Sequence, residues 1–182
     1  MSGWWIALIV MVVIAFIIFG VYLSSTAGRL DHLHKRIDTS RLSLDVHLLR
    51  RSAVTLEIAS SGFLDPATSM LLAEAAHEAR LSTDSDDVAR SQAESDLSEA
   101  LRAVLEPSDV EEIKDGVGGD EMLAELAAAC QRVSLSRRFH NDAVRACREL
   151  REQAVVRTFR LAGHTPWPLM VEMDDEAPDF QA

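Results

Sequence analysis

The sequence predicts an all-α fold in which an N-terminal transmembrane helix continues into a long-helix, antiparallel, up-and-down four-helix bundle. Residues 4–23 form an unbroken run of about 20 uncharged residues, the length that a helix needs to cross the hydrocarbon core of a bilayer. After this run no stretch alternates apolar and polar residues for long, as strands do. The apolar residues recur instead at helical spacing in separate segments, as in a helical bundle.

The predicted transmembrane helix covers residues 4–23 and leaves residues 1–3 as an N-terminal stub. Trp4, Trp5 and Tyr22 suit the two membrane–water interfaces, where amphipathic rings are enriched. A cleavable signal peptide is the alternative, because Ser25-Thr26-Ala27 resembles a cleavage site. The apolar run is longer than a signal core, however, and no basic residue precedes it.

Basic residues predict the orientation of the span. No Lys or Arg precedes the run, and four follow it closely: Arg29, Lys35, Arg36 and Arg41. Cationic residues near the ends of a span favour the cytoplasmic side. The sequence therefore predicts a single-pass protein of the cell membrane with its N-terminus outside and its bundle, residues 24–161, in the cytoplasm.

Four helices are expected in the bundle, at about 29–61, 66–81, 86–106 and 120–161, with a loop at 107–119. Gly62 ends the first, and Asp65-Pro66 gives the second an N-cap and a proline at its first position. Pro107 is interpreted as the stop of the third helix, and Gly116-Val117-Gly118-Gly119 as a flexible connection to the fourth. Residues 162–182 form an acidic tail with a Pro/Trp segment.

The net charge bears on which molecules this protein binds, and the cysteines bear on the redox compartment in which its bundle lies. The net charge of -11 argues against nucleic acid, whose phosphates require a basic surface. Cys130 and Cys147 lie 17 positions apart on one predicted helix, about 25 Å, and therefore cannot pair within the chain. Unpaired thiols favour a reducing compartment.

A basic collar is expected at the membrane surface. If the fourth helix returns toward the bilayer, Arg157 and Arg160 end near Arg29, Lys35 and Arg36, where they can contact anionic lipid headgroups. Solvated charges paired with acidic neighbours are the equally supported alternative. Trp167 in the tail is expected at the interface or against another membrane protein.

Patterns that suggest chemistry have structural explanations instead. Gly116–Gly119 lacks the preceding strand and following Lys of a phosphate loop. His32 and His34 point to nearly opposite sides of a helix and cannot chelate one metal. Ser136 and His140 lie four apart, but a nucleophile inside a helix has no free backbone amides as oxyanion donors. The sequence thus predicts no enzyme, no cofactor, no metal and no small-molecule substrate.

The segment Leu135–Arg145 brings polar residues into the apolar line of the fourth helix, which predicts a polar clamp with the first helix. Antiparallel register puts Asn141 opposite about Ser40, Asp45 opposite Arg137 or Arg138, Asp38 near Arg145, and Arg41 near Asp142. Replacing Asp45 with Ala would then strand an arginine at a cost of a few kcal/mol.

Two segments of this clamp carry a resemblance to a known family. Asp45-Val46-His47-Leu48-Leu49-Arg50-Arg51 resembles the Asp-Val-x-Leu-x-Arg-Arg stretch of the LemA family, and Arg137–Val144 resembles its Arg-Arg-x-Tyr-Asn-x-x-Val. The family's Asp-Leu-Ile-Pro-Asn-Leu-Val is here Ser52–Ile58 without the proline, and its Tyr-Asn is His140-Asn141. The resemblance implies a membrane-anchored antiparallel four-helix bundle without catalytic residues.

These observations lead to the expectation of a non-catalytic, membrane-anchored interaction or scaffold protein, an accessory subunit of a larger membrane complex. Two alternatives stay open: a subunit specifically of a respiratory (cytochrome) supercomplex, and an anionic-lipid-binding module at the membrane surface.

Overall fold

The computed structural model describes residues 2–180 and is all-helical over that range, without strands, as the sequence predicts. Met1, from the predicted stub, and the last two tail residues lie outside the described residues. The helices are α1 (Ser2–Ser60), α2 (Pro66–Leu81), α3 (Asp87–Val104), α4 (Pro107–Asp115), α5 (Gly119–Glu152) and α6 (Ala154–Thr158), with a 3₁₀ turn at Ser82–Asp84.

Helix α1 runs for 59 residues, since no proline interrupts the passage from the apolar run into the amphipathic part and the two glycines there, Gly20 and Gly28, are single residues among good helix formers. Residues 4–22 are all exposed. Among the described residues, α1 is the one helix that is long and apolar enough to cross a membrane, by length and composition.

Two short polar segments start the next helices in the same way. Asp65 accepts hydrogen bonds from the backbone amides of Ala67 and Thr68, and Asp86 does the same for Val88 and Ala89. A hydrogen bond from the Thr68 side chain, followed by those from the backbone amides of Ala67 and Thr68, holds the pKa of Asp65 below its usual value. Aspartate at such N-caps stabilises a helix because its carboxylate satisfies backbone amides that have no partner within the helix.

The predicted loop at 107–119 is wrong in its first part, where α4 forms. Pro107 starts this helix rather than only stopping the one before it, because a fixed φ and a missing N–H suit the first helical position. Val110 and Ile113, three residues apart, are fully buried in the core. Burial of this pair stabilises a nine-residue helix that would be marginal alone.

The connection Gly116–Gly119 is closely packed rather than merely flexible. A Cβ at Gly119 would lie 1.7 Å from the carbonyl oxygen of Ile113, and one at Gly116 would lie 2.2 Å from the ring of Phe63. Only glycine permits these approaches. The glycines thus fix the short passage from α4 to α5.

Helix α5 ends at Glu152 and not near residue 161 as expected. Gln153 takes an extended conformation, and the short helix α6 follows. This break brings Val156 and Leu161 into one apolar cluster with Leu30. The β-branched pair Val155-Val156 also has weaker helix propensity than the residues before it.

The chain forms two compact units. The first consists of Met1–Asp38 and Asp142–Leu169, and the second of Thr39–Asn141 and Met170–Ala182. Leu30, Cys147, Leu150 and Val156 form the apolar core of the first unit. The second has a larger core made by α1, α2, α3, α4 and α5, in which Leu72, Leu97, Leu126 and Ile58 are fully buried.

Candidate interaction site

A buried ion pair joins α1 to α3 in the second unit. Arg51 Nη2 lies 2.7 Å from Glu94 Oε2 and 3.0 Å from the Glu94 carbonyl oxygen, and Arg51 Nη1 donates to Ser98 Oγ at 2.9 Å. Only 1% of the Arg51 side chain and 3% of the Glu94 side chain are exposed. Burial raises the pKa of the Glu94 carboxyl, and the Arg51 guanidinium opposes this rise.

Asp45 belongs to the same face of α1 and has a different partner from the one expected. Arg90 Nη2 of α3 lies 2.9 Å from Asp45 Oδ1, and Arg41 lies 3.6 Å from the same oxygen. Arg41 also pairs with Asp87. The predicted pairing of Asp45 with Arg137 or Arg138 is therefore wrong, because this face of α1 packs against α3. Replacing Asp45 would strand Arg90.

Helix α5 meets α1 through other residues. Ser40 Oγ and His140 Nδ1 lie 3.2 Å apart, at hydrogen-bond distance, and Arg50 pairs with Glu125. The expected register near Ser40 is thus within one residue of the observed contact. His140 is 2% exposed, so its ring lies inside the second unit and not on its surface.

The polar line of α5 binds the acidic tail. Asn141 and Val171 exchange two hydrogen bonds, at 3.0 Å from the amide nitrogen to the Val171 carbonyl and at 2.9 Å from the Val171 N–H to Asn141 Oδ1. Arg137 forms a bidentate pair with Asp175, both distances being 2.8 Å. Bidentate arginine–carboxylate pairs are among the stronger and more specific polar contacts.

Helix α3 holds the same tail segment from a second side. Arg102 donates to Asp174 Oδ1 at 3.2 Å and to the Glu176 carbonyl at 2.8 Å, Ser98 donates to the Asp174 carbonyl, and the Asp174 N–H donates to Ser95. The Arg102 guanidinium holds the pKa of Asp174 below its usual value, and Asp174 raises that of Arg102. We call residues 170–176, held by α3 and α5, the tail clasp.

The remaining predicted clamp residues have local or solvent contacts. Arg145 pairs with Asp142 on its own helix at 3.2 Å and not with Asp38, which is exposed. Arg138 is exposed. Arg41 reaches α3, so its predicted contact with Asp142 is also wrong. The interhelical clamp expected from the sequence is replaced by the α1–α3 ion pairs and the tail clasp.

In the first unit the start of the tail is bound to the end of α5. Arg148 Nε donates to the Pro168 carbonyl at 2.9 Å, and Arg151 donates to the carbonyls of Thr165 and Pro166. The Arg151 guanidinium also lies 4.9 Å from the centre of the Trp167 ring. This cation–π contact fixes Trp167, which is still 45% exposed.

The predicted membrane-interface residues are exposed, as far as the structure describes them. Trp4, Trp5 and Tyr22 lie on the apolar part of α1, and the basic residues Arg29, Lys35, Arg36, Arg157 and Arg160 are exposed in the same unit. Phe159, just after α6, contacts Phe19 of α1 edge to face, with ring centres 5.4 Å apart. The segment that carries Arg157 and Arg160 therefore lies beside the apolar run.

Two apolar stripes of the second unit stay uncovered. On α1 these are Leu42, Val46 and Leu49, at spacings of four and three, with 66%, 63% and 41% of each residue exposed. On α5 they are Leu135 and Phe139, four apart, with 50% and 52% exposed. Contiguous apolar surface of this kind is typical of contact sites for other molecules.

No protein-family model, curated protein or solved structure matches this chain. The geometry above is thus the basis for any functional proposal. Within residues 2–180, no group of three or more His, Cys, Asp or Glu side chains is placed to hold a metal ion. Cys130 and Cys147 are both free and buried, and burial raises the pKa of each thiol.

The α3 and tail residues of this network were not predicted from the sequence. Arg90, Glu94 and Ser98 lie on one face of α3 at spacings of four and form a polar stripe that is visible in the sequence. Asp174 and Asp175 stand in a tail with five acidic and no basic residues. The negative charge of the tail and the polar residues on the apolar line of α5 are the features of the sequence from which the tail clasp could have been predicted.

Proposed function

We propose that this chain is a membrane-anchored helical protein that works by contacts with another membrane protein, as an accessory or scaffold subunit. The single observation that carries the proposal is the combination of α1's exposed apolar run with the uncovered stripe Leu42–Val46–Leu49 on the same helix. A membrane-spanning helix keeps the chain at the bilayer, where integral membrane partners reside, and an uncovered apolar stripe is typical of a contact site.

The proposed architecture is an up-and-down four-helix bundle. Contacts within the second unit support it. Residues 41, 45 and 51 of α1 meet residues 87, 90 and 94 of α3, so both numbers rise together. Residues 40 and 50 of α1 meet residues 140 and 125 of α5, so one number falls as the other rises. Alternating directions of this kind are expected in an up-and-down bundle.

Membrane orientation is part of the proposal. The basic residues that follow the apolar run favour an orientation with the N-terminus outside the cell membrane and the bundle in the cytoplasm. The free, buried cysteines suit a reducing compartment.

We also propose that the protein is related to the LemA family and acts without catalysis. The residues that carry the resemblance support a structural role, because Asp45, Arg50 and Arg51 each form an ion pair with another helix. His140 lies beside Ser40, but both belong to helices whose backbone amides are used by helical hydrogen bonds. A respiratory membrane complex remains one partner within this proposal.

Native purification tests the proposal. Membranes are extracted with a gentle detergent, and the tagged full chain is separated on a native gel beside the variant Leu42→Ser/Val46→Ser. We expect the wild-type chain to migrate with one larger complex and the variant to migrate alone. A wild-type chain that runs alone would count against a subunit role. The control Val88→Ser changes a residue that is 80% exposed on α3, outside the stripe, and should leave migration unchanged.

A second candidate function is binding to anionic lipid at the membrane surface. The contact between Phe19 and Phe159 favours it, because it keeps Arg157 and Arg160 beside the apolar run. Each well-placed cation contributes about 1 kcal/mol to such binding. Charge reversal of both arginines, with Lys35 and Arg36, should then abolish enrichment of anionic lipid around the full chain in mixed-lipid nanodiscs. Enrichment that survives the reversal refutes this function.

A further inference from the structure

A cavity of about 560 Å³ lies in the first unit, between α1 and the end of α5. Its α1 wall contains Ser25, Gly28, Arg29 and His32, which share one face at spacings of three and four. A Cβ at Gly28 would meet nothing within 4 Å, so a larger side chain at this position would extend into open space. The residues that line the cavity from α5 and its end are Ala146, Glu149, Leu150 and Gln153, and α1 also contributes Leu33.

The cavity is lined by charged residues of both signs. Arg29 and His32 line one wall, and Glu149 lines the other with Gln153 beside it. In the described part of the chain, neither Arg29 nor Glu149 forms an ion pair or a side-chain hydrogen bond. Opposite charges that share a cavity without pairing can each bind one end of a dipolar ligand.

The position of the cavity along α1 indicates which ligands reach it. Ser25 stands two residues after the apolar run and Leu33 ten residues after it, about 3 and 15 Å at 1.5 Å per residue. The headgroup region adds about 5 to 8 Å to each side of the hydrocarbon core. Ser25 and Gly28, about 3 and 8 Å beyond the run, therefore fall at the level of lipid headgroups when the apolar run spans a bilayer. Arg29, about 9 Å beyond the run, lies at the outer edge of this layer, and its long side chain reaches into it.

We infer that this cavity binds the zwitterionic headgroup of a phosphatidylethanolamine-type lipid. The phosphate is the ligand for the Arg29 guanidinium and for the N–H donor of His32, while the Ser25 hydroxyl donates to the Tyr22 carbonyl oxygen at 3.1 Å. The primary ammonium is the ligand for the Glu149 carboxylate and the Gln153 carbonyl oxygen. This inference rests on the membrane anchoring in the proposed function, and adds a specific lipid to it.

Glu149 distinguishes this headgroup from its common alternatives. A phosphatidylglycerol headgroup carries a net negative charge and offers no cation to the carboxylate. A phosphatidylcholine headgroup has a cation but no N–H donor for hydrogen bonds with Glu149 and Gln153. Inorganic phosphate satisfies only the Arg29 side. The Glu149 carboxylate on the α5 side of the cavity, together with the Arg29 guanidinium on the α1 side, is thus the feature that selects an ethanolamine headgroup.

The test uses the full chain in nanodiscs that contain equal amounts of phosphatidylethanolamine and phosphatidylglycerol. After transfer to detergent, native mass spectrometry counts the lipids that stay bound. We expect one retained phosphatidylethanolamine, and a loss of about tenfold or more in Arg29→Gln and Glu149→Gln, because each variant removes a charge-assisted contact. The matched controls Arg36→Gln and Glu152→Gln, on the same helices but outside the cavity wall, should retain it.

Steric filling provides an independent test. Gly28→Leu should occupy the cavity and remove the retained lipid, whereas Gly20→Leu, at another open position of α1, should not. Retention unchanged in both Arg29→Gln and Glu149→Gln overturns the inference, as does equal retention of the two lipids. Soluble phosphoethanolamine should displace the lipid, and displacement by inorganic phosphate at the same concentration would overturn the headgroup assignment.

If the proposed membrane anchoring is wrong, the experiment gives a result that differs from failure of the headgroup inference alone. In that case the wild-type chain does not enter nanodiscs and is washed from membranes at alkaline pH. If the chain enters nanodiscs and still shows no preference between the lipids, the anchor stands and the headgroup inference is refuted.

Discussion

Removing the charge of Arg51 should destabilise the second unit strongly, because Glu94 would be left buried without its main partner. Arg51→Met keeps most of the apolar volume of the side chain and removes the guanidinium. The side chains are 1% and 3% exposed, and the charged atoms lie 2.7 Å apart. Direct attraction between charges at this range is about 4 to 6 kcal/mol at an effective dielectric constant near 20.

Desolvation of the two charged groups offsets part of that attraction in the intact pair. The expected loss of stability is therefore taken from the cost of removing one partner and not from the attraction itself. Removing one partner of a buried pair typically costs about 3–5 kcal/mol. For a chain of this size each kcal/mol lowers Tm by about 2–4 °C, which gives an expected fall of about 6–20 °C. The assay is thermal unfolding of the full chain in detergent, followed by circular dichroism at pH 7.

Two further measurements identify the cause of the fall in Tm. Burial already raises the pKa of Glu94, so its folded-state pKa lies above the unfolded value, and protonation favours the folded state. Arg51→Met should therefore lose less stability near pH 5 than at pH 7. The double variant Arg51→Met/Glu94→Met should recover most of the Tm. A single variant within about 2 °C of wild type, or a double variant no better than the single, would refute this reasoning.

Three other predictions concern the tail clasp and the topology. Arg137→Gln should speed hydrogen exchange at residues 171–176, measured by mass spectrometry, whereas Arg138→Gln, an exposed neighbour, should leave it at the wild-type rate. Because Arg102 lowers the folded-state pKa of Asp174, that contact stabilises the clasp above the unfolded pKa and is lost as pH falls through the folded-state pKa. The protection factors of the tail amides, which correct for the pH dependence of exchange in an unstructured peptide, should therefore fall below about pH 4, and protection factors constant down to about pH 2.5 contradict this. Val117→Cys, fully exposed in wild type, should resist an impermeant thiol reagent in intact cells and react after lysis; labelling before lysis reverses the proposed orientation.

Local signals in the sequence predicted most of the helices. The apolar run, the Asp65-Pro66 start and the helical spacing of Leu97 and Leu101 each act within one or two turns, and α1, α2 and α3 follow them closely. Helix α4 was missed because Pro107 is compatible both with ending one helix and with beginning the next. The early end of α5 was missed because no proline or glycine marks Gln153.

The candidate site was less predictable because it depends on which faces pack together. Helical phase identified Arg137 and Asn141 as polar residues on an otherwise apolar line, and both do have buried or half-buried partners. The partners were assigned to α1 because an extended tail has no periodicity from which its position can be read. Asp45 likewise could pair with any helix on its face, and the polar stripe of α3 was the decisive missing information.

The central claim is that the uncovered stripe on α1 contacts another membrane protein. A photo-crosslinking amino acid placed at Val46 of the full chain, activated in intact membranes, tests it most directly. We expect one discrete crosslinked product of higher mass that contains a second membrane protein. The same amino acid at Glu111, an exposed position on α4, should give no such product. No product from position 46, or the same product from both positions, would contradict the claim.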